Sequence, residues 1–318
     1  MKKRITSLVL LLALCIGVAH AYPTGPVTIV VPFPAGQTGD IIARTLAVEL
    51  AKKYGKPFVI DNRPGAGGQI GTTYAARAKN DGSVLLMTSS GPFAIAPVLY
   101  PGTLPYQPLR DFSVIVEAAT TPQILAVSND SGIKNVDELV KAAKAKEITY
   151  ASAGNGSTQH LSMELLKQQL GIQMLHIPFK GSAPAFTDLM AGHVQFMAES
   201  VPQAANYAKQ GKVKALAVTS AKRNPALPNV PTVIETGVAN LEVVGFYGIL
   251  APKGTPPEVA NQLSHAFKET LESPDIQKKM IDQGADPAYL NPDQFTKYLA
   301  AEMPKWAKAV KQAGAKLD

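Results

Sequence analysis

Two short segments place small and hydroxyl-bearing residues where a strand pattern gives way to a helix pattern. The first is Pro-Phe-Pro-Ala-Gly-Gln-Thr-Gly-Asp from Pro32 to Asp40, and the second is Ala-Ser-Ala-Gly-Asn-Gly-Ser-Thr from Ala151 to Thr158. Such a loop offers free backbone N–H groups and the positive end of a helix dipole to one point, which suits a carboxylate or a phosphate. Glycine removes the Cβ that would hold a ligand off the backbone, and Ser157 and Thr158 add hydroxyl donors. Asp40 reads as the N-terminal cap of a helix beginning at Ile41, because a carboxylate facing an anion would repel it. One such loop is an ordinary βα turn. Two of them, one in each half of the chain at strand ends where α/β folds place ligands, point to a shared binding site.

Other chemistries find no support in the spacing. The first loop does not fit G-x-G-x-x-G, and neither a phosphate-binding G-x-x-x-x-G-K-[ST] nor a nucleophile elbow G-x-S-x-G occurs. Ser157 and His160 stand three apart at a helix start, where a capping serine beside a helix-face histidine is sufficient explanation. His160, His176, His193 and His265 are too dispersed to imply a metal, and no H-x-x-x-H is present. No cofactor or metal is therefore expected. A secreted hydrolase on the same scaffold would need a nucleophile, a metal cluster or paired carboxylates near the loops, and the sequence offers none. Trp306 falls in a terminal helix pattern and reads as a packing residue.

The elements that must position the loops alternate. The 318 residues suggest two domains sharing a cleft. Residues 1–21 read as a secretory signal: Lys2, Lys3 and Arg4, an apolar run from Leu8 to Val18, then Ala19-His20-Ala21 with cleavage after Ala21. That run is well short of the ~20 residues that span a bilayer. Leu12-Ala13-Leu14-Cys15 is only loosely like a lipobox, since Leu14 occupies the place of a small residue. Cys15 is the only cysteine, so the mature chain carries no thiol chemistry or disulfide. The formal net charge of +7 becomes +4 once the three signal cations are removed, and lysines such as Lys141, Lys144 and Lys146 are scattered over helix patterns. No nucleic-acid footprint results.

Strand patterns at Val27–Phe33, Phe58–Ile60 and Val84–Met87 enclose a helix from Ile41 to Leu50 closed by Gly55, and a helix follows around Phe93 to Tyr100. This is βαβ order, hence a mainly parallel sheet. Phe112–Val116 and Gln123–Val127 read as two strands separated by Thr120-Thr121-Pro122, a first crossing into a second domain. There the alternation restarts with strands at Ile148–Ala151, Met174–Pro178, Val194–Met197 and Lys214–Thr219. Helices lie between them at Thr158–Leu170, Ala183–Ala191 and Pro202–Gln210. Val243–Leu250, interrupted by Gly245 and Gly248, suits a return crossing, and Thr255-Pro-Pro-Glu258 reads as a cap opening the C-terminal helices. Two crossings make a two-strand hinge, with lobe 1 at 22–121 plus 248–318 and lobe 2 at 122–247.

The chain resembles the periplasmic solute-binding proteins of tripartite tricarboxylate transporters, the TctC or Bug family, over essentially its whole mature length. The resemblance rests on Val30-Val-Pro-Phe-Pro-Ala-Gly36, Asn62-Arg-Pro-Gly-Ala-Gly-Gly-Gln-Ile-Gly71, Tyr150-Ala-Ser-Ala-Gly-Asn-Gly-Ser-Thr-Gln-His160 and Pro178-Phe-Lys-Gly-Ser-Ala-Pro184. Ala217–Arg223, Pro228–Thr232 and Leu250–Pro256 agree as well. It implies an α/β type II periplasmic binding fold whose lobes close over a small carboxylate solute, and an inner-membrane tripartite tricarboxylate transporter permease as partner. It further implies a periplasmic monomer. By position, Phe33, Ala35, Gly36, Gln37 and Thr38 would meet the solute from the first loop, with Ser89 and Ser90 on the wall. Ala153, Asn155, Ser157 and Thr158 would oppose them, and Lys180, Glu199 and Tyr247 are further ligand-binding candidates. Gln37 and Gly39 stand where the family usually shows glycine and threonine, and Glu199 where many members have aspartate. Those departures leave aliphatic di- or tricarboxylates, aromatic carboxylates and small acidic amino acids open as solutes, with a dicarboxylate favoured. A carboxylate sensor feeding a membrane signalling kinase would use the same residues.

Overall fold

The computed structural model describes residues 22–313, so the signal reading of 1–21, Cys15 included, lies outside the described residues. Ten strands form one continuous, curled sheet. They are β1 (Val27–Val31), β2 (Phe58–Asn62), β3 (Val84–Ser89), β4 (Phe112–Val127), β5 (Thr149–Ser152), β6 (Leu175–Pro178), β7 (Phe196–Ser200), β8 (Lys214–Val218), β9 (Val244–Pro252) and β10 (Asp286–Leu290). The order is β2-β1-β3-β9-β4-β7-β5-β6, with β8 and β10 also paired to β4. Parallel pairing between strands falls in the outer triplets, β2-β1-β3 and β7-β5-β6, with one further parallel bridge from Val218 of β8 to Thr232, and every pair involving β4 or β9 is antiparallel.

The expected break at Thr120-Thr121-Pro122 is absent, for β4 runs unbroken through 16 residues. Its first part pairs with β9 and β10, and from Gln123 onward it pairs with β7 and β8. Pro122, which has no N–H to donate, sits at this change of partners, where a missing ladder bond costs least. The chain returns beside the same point. Gln123 N–H donates to Thr219 Oγ1 (2.9 Å), Thr219 Oγ1 donates to the Val243 carbonyl (2.6 Å), and β9 begins at Val244 opposite Pro122.

Gly245 and Gly248 do not interrupt β9. A Cβ on Gly248 would overlap the Phe295 ring of the C-terminal helix Pro292–Ala313, so this glycine serves close packing. Nor is Thr255 a cap: the helix Pro257–Glu272 is preceded by Pro256, and the Thr255 hydroxyl donates to the Pro252 carbonyl at 2.8 Å.

The helices following the two loops run Thr38–Tyr54 and Thr158–Leu170 and stop at Gly55 and Gly171, both left-handed at φ near 60°. Ile42, Leu46 and Leu50 form the buried face of the first against Ile29 and Val31 of β1, each worth about 1.5–3 kcal/mol when fully buried. Between Ser89 and Tyr100 the expected helix is a π turn, Gly91–Ile95, that continues as the short helix Ala96–Leu99. Trp306 is buried in the C-terminal helix. Among the described residues no helix is long and apolar enough to cross a membrane.

Candidate functional site

The ends of β1, β3, β5 and β7 converge on a cleft of about 650 Å³. Of the residues singled out in the sequence, Phe33, Gln37, Thr38, Ser89, Ser90, Ala153, Asn155, Ser157, Thr158, Lys180, Glu199 and Tyr247 all line it, and Ala35 and Gly36 do not. The reason is visible in the first loop. Asp40 is not the cap residue before the helix, because the helix begins two residues earlier at Thr38 with Gln37 preceding it. From the first turn its carboxylate reaches back: Oδ2 accepts from Gly36 N–H (2.9 Å) and Arg44 Nε (2.8 Å), and Oδ1 accepts from Asn62 Nδ2 (2.9 Å). Gly36 therefore has no N–H left for a ligand. Burial pushes the Asp40 carboxyl up, but the bonds from Arg44, Gly36 and Asn62 outweigh it and hold it below the ordinary aspartate value.

The second loop repeats this plan with other partners. Gly154 N–H donates to Ser152 Oγ (3.1 Å), Gly156 N–H to His160 Nδ1 (3.2 Å) and Ser157 N–H to the Gly154 carbonyl (3.1 Å), while Ser157 Oγ caps the helix by accepting from His160 N–H (3.2 Å). In both loops the glycine N–H groups hold the turn. The donors left over are those of the first helical turn, Thr38 and Gly39 on one side and Thr158 and Gln159 on the other, which have no intrahelical acceptor and line the cleft. Two helix dipoles thus end on one cavity, where an anion is favoured.

Two close approaches join the two sides, one in the cleft lining at Gly181 and Gln37 and one outside it at Gly156 and Leu99. A Cβ on Gly181 would lie 3.1 Å from Gln37 Nε2, and one on Gly156 would overlap Leu99 Cδ1. Gln37 Nε2 and Thr38 Oγ1 are buried without hydrogen-bond partners. Ser90 Oγ accepts from Phe246 N–H (3.2 Å) and ties the end of β3 to β9. Tyr247 packs against Gly39, and burial pushes its hydroxyl up to about 12.

Glu199 is fully enclosed. Oε1 accepts from Gln159 Nε2 (2.9 Å) and Ser200 N–H (2.7 Å), whereas Oε2 has no partner. Burial raises its pKa, opposed by the donors of Ser200 and Gln159. Lys180 is the only basic side chain in the lining among the described residues.

Sequence reasoning from the loops missed a third contributor, the Pro64–Gly68 turn between β2 and the helix Gln69–Ala76. Gly65, Gly67 and Gly68 all have positive φ, and the run Gly-Ala-Gly-Gly after a strand was the available signal. Thr121 and Gln123 of the crossing strand also line the cleft. Nothing local marks them, since their exposure depends on where β4 changes partners.

The model of the tripartite tricarboxylate transporter family receptors, TctC, matches residues 42–315. The chain belongs to this family. Among solved structures it is similar to Rpa4515 of R. palustris with adipate, at 35% identity and TM-score 0.90 over 93% of this chain and 100% of that one. It is similar to the periplasmic binding protein BugD, at 38% identity and TM-score 0.87 over 93% and 99%. MatC (Rpa3494) from Rhodopseudomonas palustris with bound malate matches at 31% identity and TM-score 0.83 over 91% and 100%. The chain is accordingly a TctC-type solute-binding protein with the two-lobed α/β fold of periplasmic binding proteins.

Proposed function

We propose that this TctC-family protein is exported, loses residues 1–21 after Ala21, and captures a small aliphatic dicarboxylate in the periplasm as a monomer for an inner-membrane tripartite tricarboxylate transporter permease. The lobes that close over the solute are 22–121 with 248–318, and 122–247, hinged where β4 and the Val243–Val244 return lie side by side. The observation that carries this reading is the convergence of two helix N-termini, one from each side, on a cleft with a single basic side chain. Each end of a dicarboxylate would meet backbone and hydroxyl donors, and hydrogen bonds to charged groups contribute about 1.5–3 kcal/mol each. Three or four of these give about 4.5–12 kcal/mol before the cost of closure, so a micromolar constant, about −8 kcal/mol, requires bonds at the strong end of that range. The neighbours with adipate and malate bound support the solute class.

The test is a thermal-shift screen of refolded, ligand-stripped mature chain against C4 to C7 dicarboxylates and their matched diamides. A ligand at a hundred times its dissociation constant adds about 2.7 kcal/mol. A shift with one acid and none with its amide supports carboxylate capture. Equal response to acid and amide, or none to any acid, overturns it.

A further inference from the structure

Behind the second loop, outside the cleft lining, the fold brings together two histidines that lie far apart in the sequence. His160, in the first turn of the helix Thr158–Leu170, and His176 on β6 stack with ring centroids 4.0 Å apart and planes within 6°. His176 stacks in turn on Tyr150 at 4.8 Å. His176 Nε2 lies 2.7 Å from Ser152 Oγ, the atom that accepts the Gly154 N–H, and His160 Nδ1 accepts the Gly156 N–H. Gly154 and Gly156 hold φ of 127° and 73°, a backbone shape open to glycine that these two side-chain anchors fix in place.

We propose that His160 and His176 are positioning residues for the solute loop: as a neutral stacked pair they hold Gly156, and through Ser152 also Gly154, inward and so aim the N–H groups of Thr158 and Gln159 at the cleft, and protonation of His160 releases Gly156. The inference rests on the binding reading above. Its chemistry follows from the donor inventory. Nδ1 of His160 accepts a hydrogen bond, so its neutral ring carries the proton on Nε2; a second proton can go only to Nδ1, where it confronts the Gly156 N–H. Two imidazolium rings cannot share a stack 4.0 Å apart, so the pair takes up at most one charge.

The charged groups around the pair are few. Glu164 and Lys167 of the same helix bridge each other at 2.6 Å, and Tyr150 on β5 donates its hydroxyl to Glu164 at 2.5 Å. Burial lowers the His160 pKa, with Glu164 opposing and Lys167 adding to the effect. Burial drives His176 down to about 3, helped by His160 and Lys167. Release therefore falls on the acid side of the ordinary histidine value.

The test uses the mature chain by NMR, without solute, and adipate titrations of variants. At pH 7 the His160 ring should show the proton on Nε2, and protection of the Gly156 amide from exchange should vanish with the same midpoint as His160 protonation. His160→Leu should weaken adipate binding about tenfold at pH 7. His160→Asn, whose Oδ1 accepts where Nδ1 did but cannot titrate, should restore most of that affinity and keep Gly156 protected in acid. If the His160 proton is on Nδ1, or Gly156 stays protected after His160 protonates, or His160→Leu protects Gly156 as well as wild type, the proposal is wrong. The NMR readouts need no solute, so they decide the role of the histidine pair even if carboxylate capture fails its own test.

Discussion

Leu99 and Gly156 pack together outside the cleft lining, so closely that a methyl group on the glycine would overlap the leucine Cδ1. Gly156 also sits at φ 73°, where a non-glycine residue costs about 1–2 kcal/mol. Gly156→Ala should therefore combine backbone strain with a steric block to closure and weaken solute binding at least tenfold by calorimetry. Adding Leu99→Ala should recover the steric share and leave the strain. Strictly additive effects of the two substitutions would show that the residues do not meet in the bound state.

Asp40 ties the first loop to β2 through Gly36, Arg44 and Asn62. Its folded pKa is depressed, so the stability it contributes is present above the unfolded value and is lost as pH falls through the folded one. Asp40→Asn should cost about 2–3 kcal/mol at pH 7, and the gap to wild type should close in strong acid. Urea denaturation at pH 7 and at pH 2.5 measures both.

Glu117 on β4 is buried, its Oε1 has no partner, and burial with the charge of Glu302 pushes it up to about 7 from 4.5. Here the sign reverses: the contribution to stability is present below the unfolded value and is lost as pH rises from about 4.5 to about 7. Glu117→Gln should thus be more stable than wild type at pH 8 by about 2–3 kcal/mol and no more stable at pH 4. A constant difference across that range would mean that Glu117 does not titrate there.

Trp306 is the only tryptophan in the sequence. It lines a second cavity together with Leu165 and Val243–Val244, where the C-terminal helix, the helix Thr158–Leu170 and the return crossing meet. Domain closure should alter its surroundings, so a saturating dicarboxylate should shift its emission in wild type and fail to do so in Gly156→Ala. A solute that raises the melting temperature without any change in emission would argue against closure at this seam.

The strand–helix alternation up to the return crossing and the place of both strand–loop–helix junctions were legible along the chain because hydrophobic period, glycine stops and helix-start residues act over a few positions, whereas β10, inside what reads as a run of C-terminal helices, was not. The helix Thr158–Leu170 and its Gly171 stop fall where that pattern put them. Family membership was legible for a related reason, since the motifs that carry it are contiguous runs such as Tyr150 to His160. Which donors face the solute was decided elsewhere. Gly36 looks like a ligand-binding glycine until Asp40 folds back onto its N–H, and His160 takes the Gly156 N–H in the same way. Local pattern could not reveal that β4 is one strand with Pro122 at its change of partners, nor that His176 arrives from another strand to stack on His160. Hydrogen-bond competition and packing at long sequence separation depend on the assembled sheet, and only the tertiary structure decides which polar groups are already satisfied and which remain for a ligand.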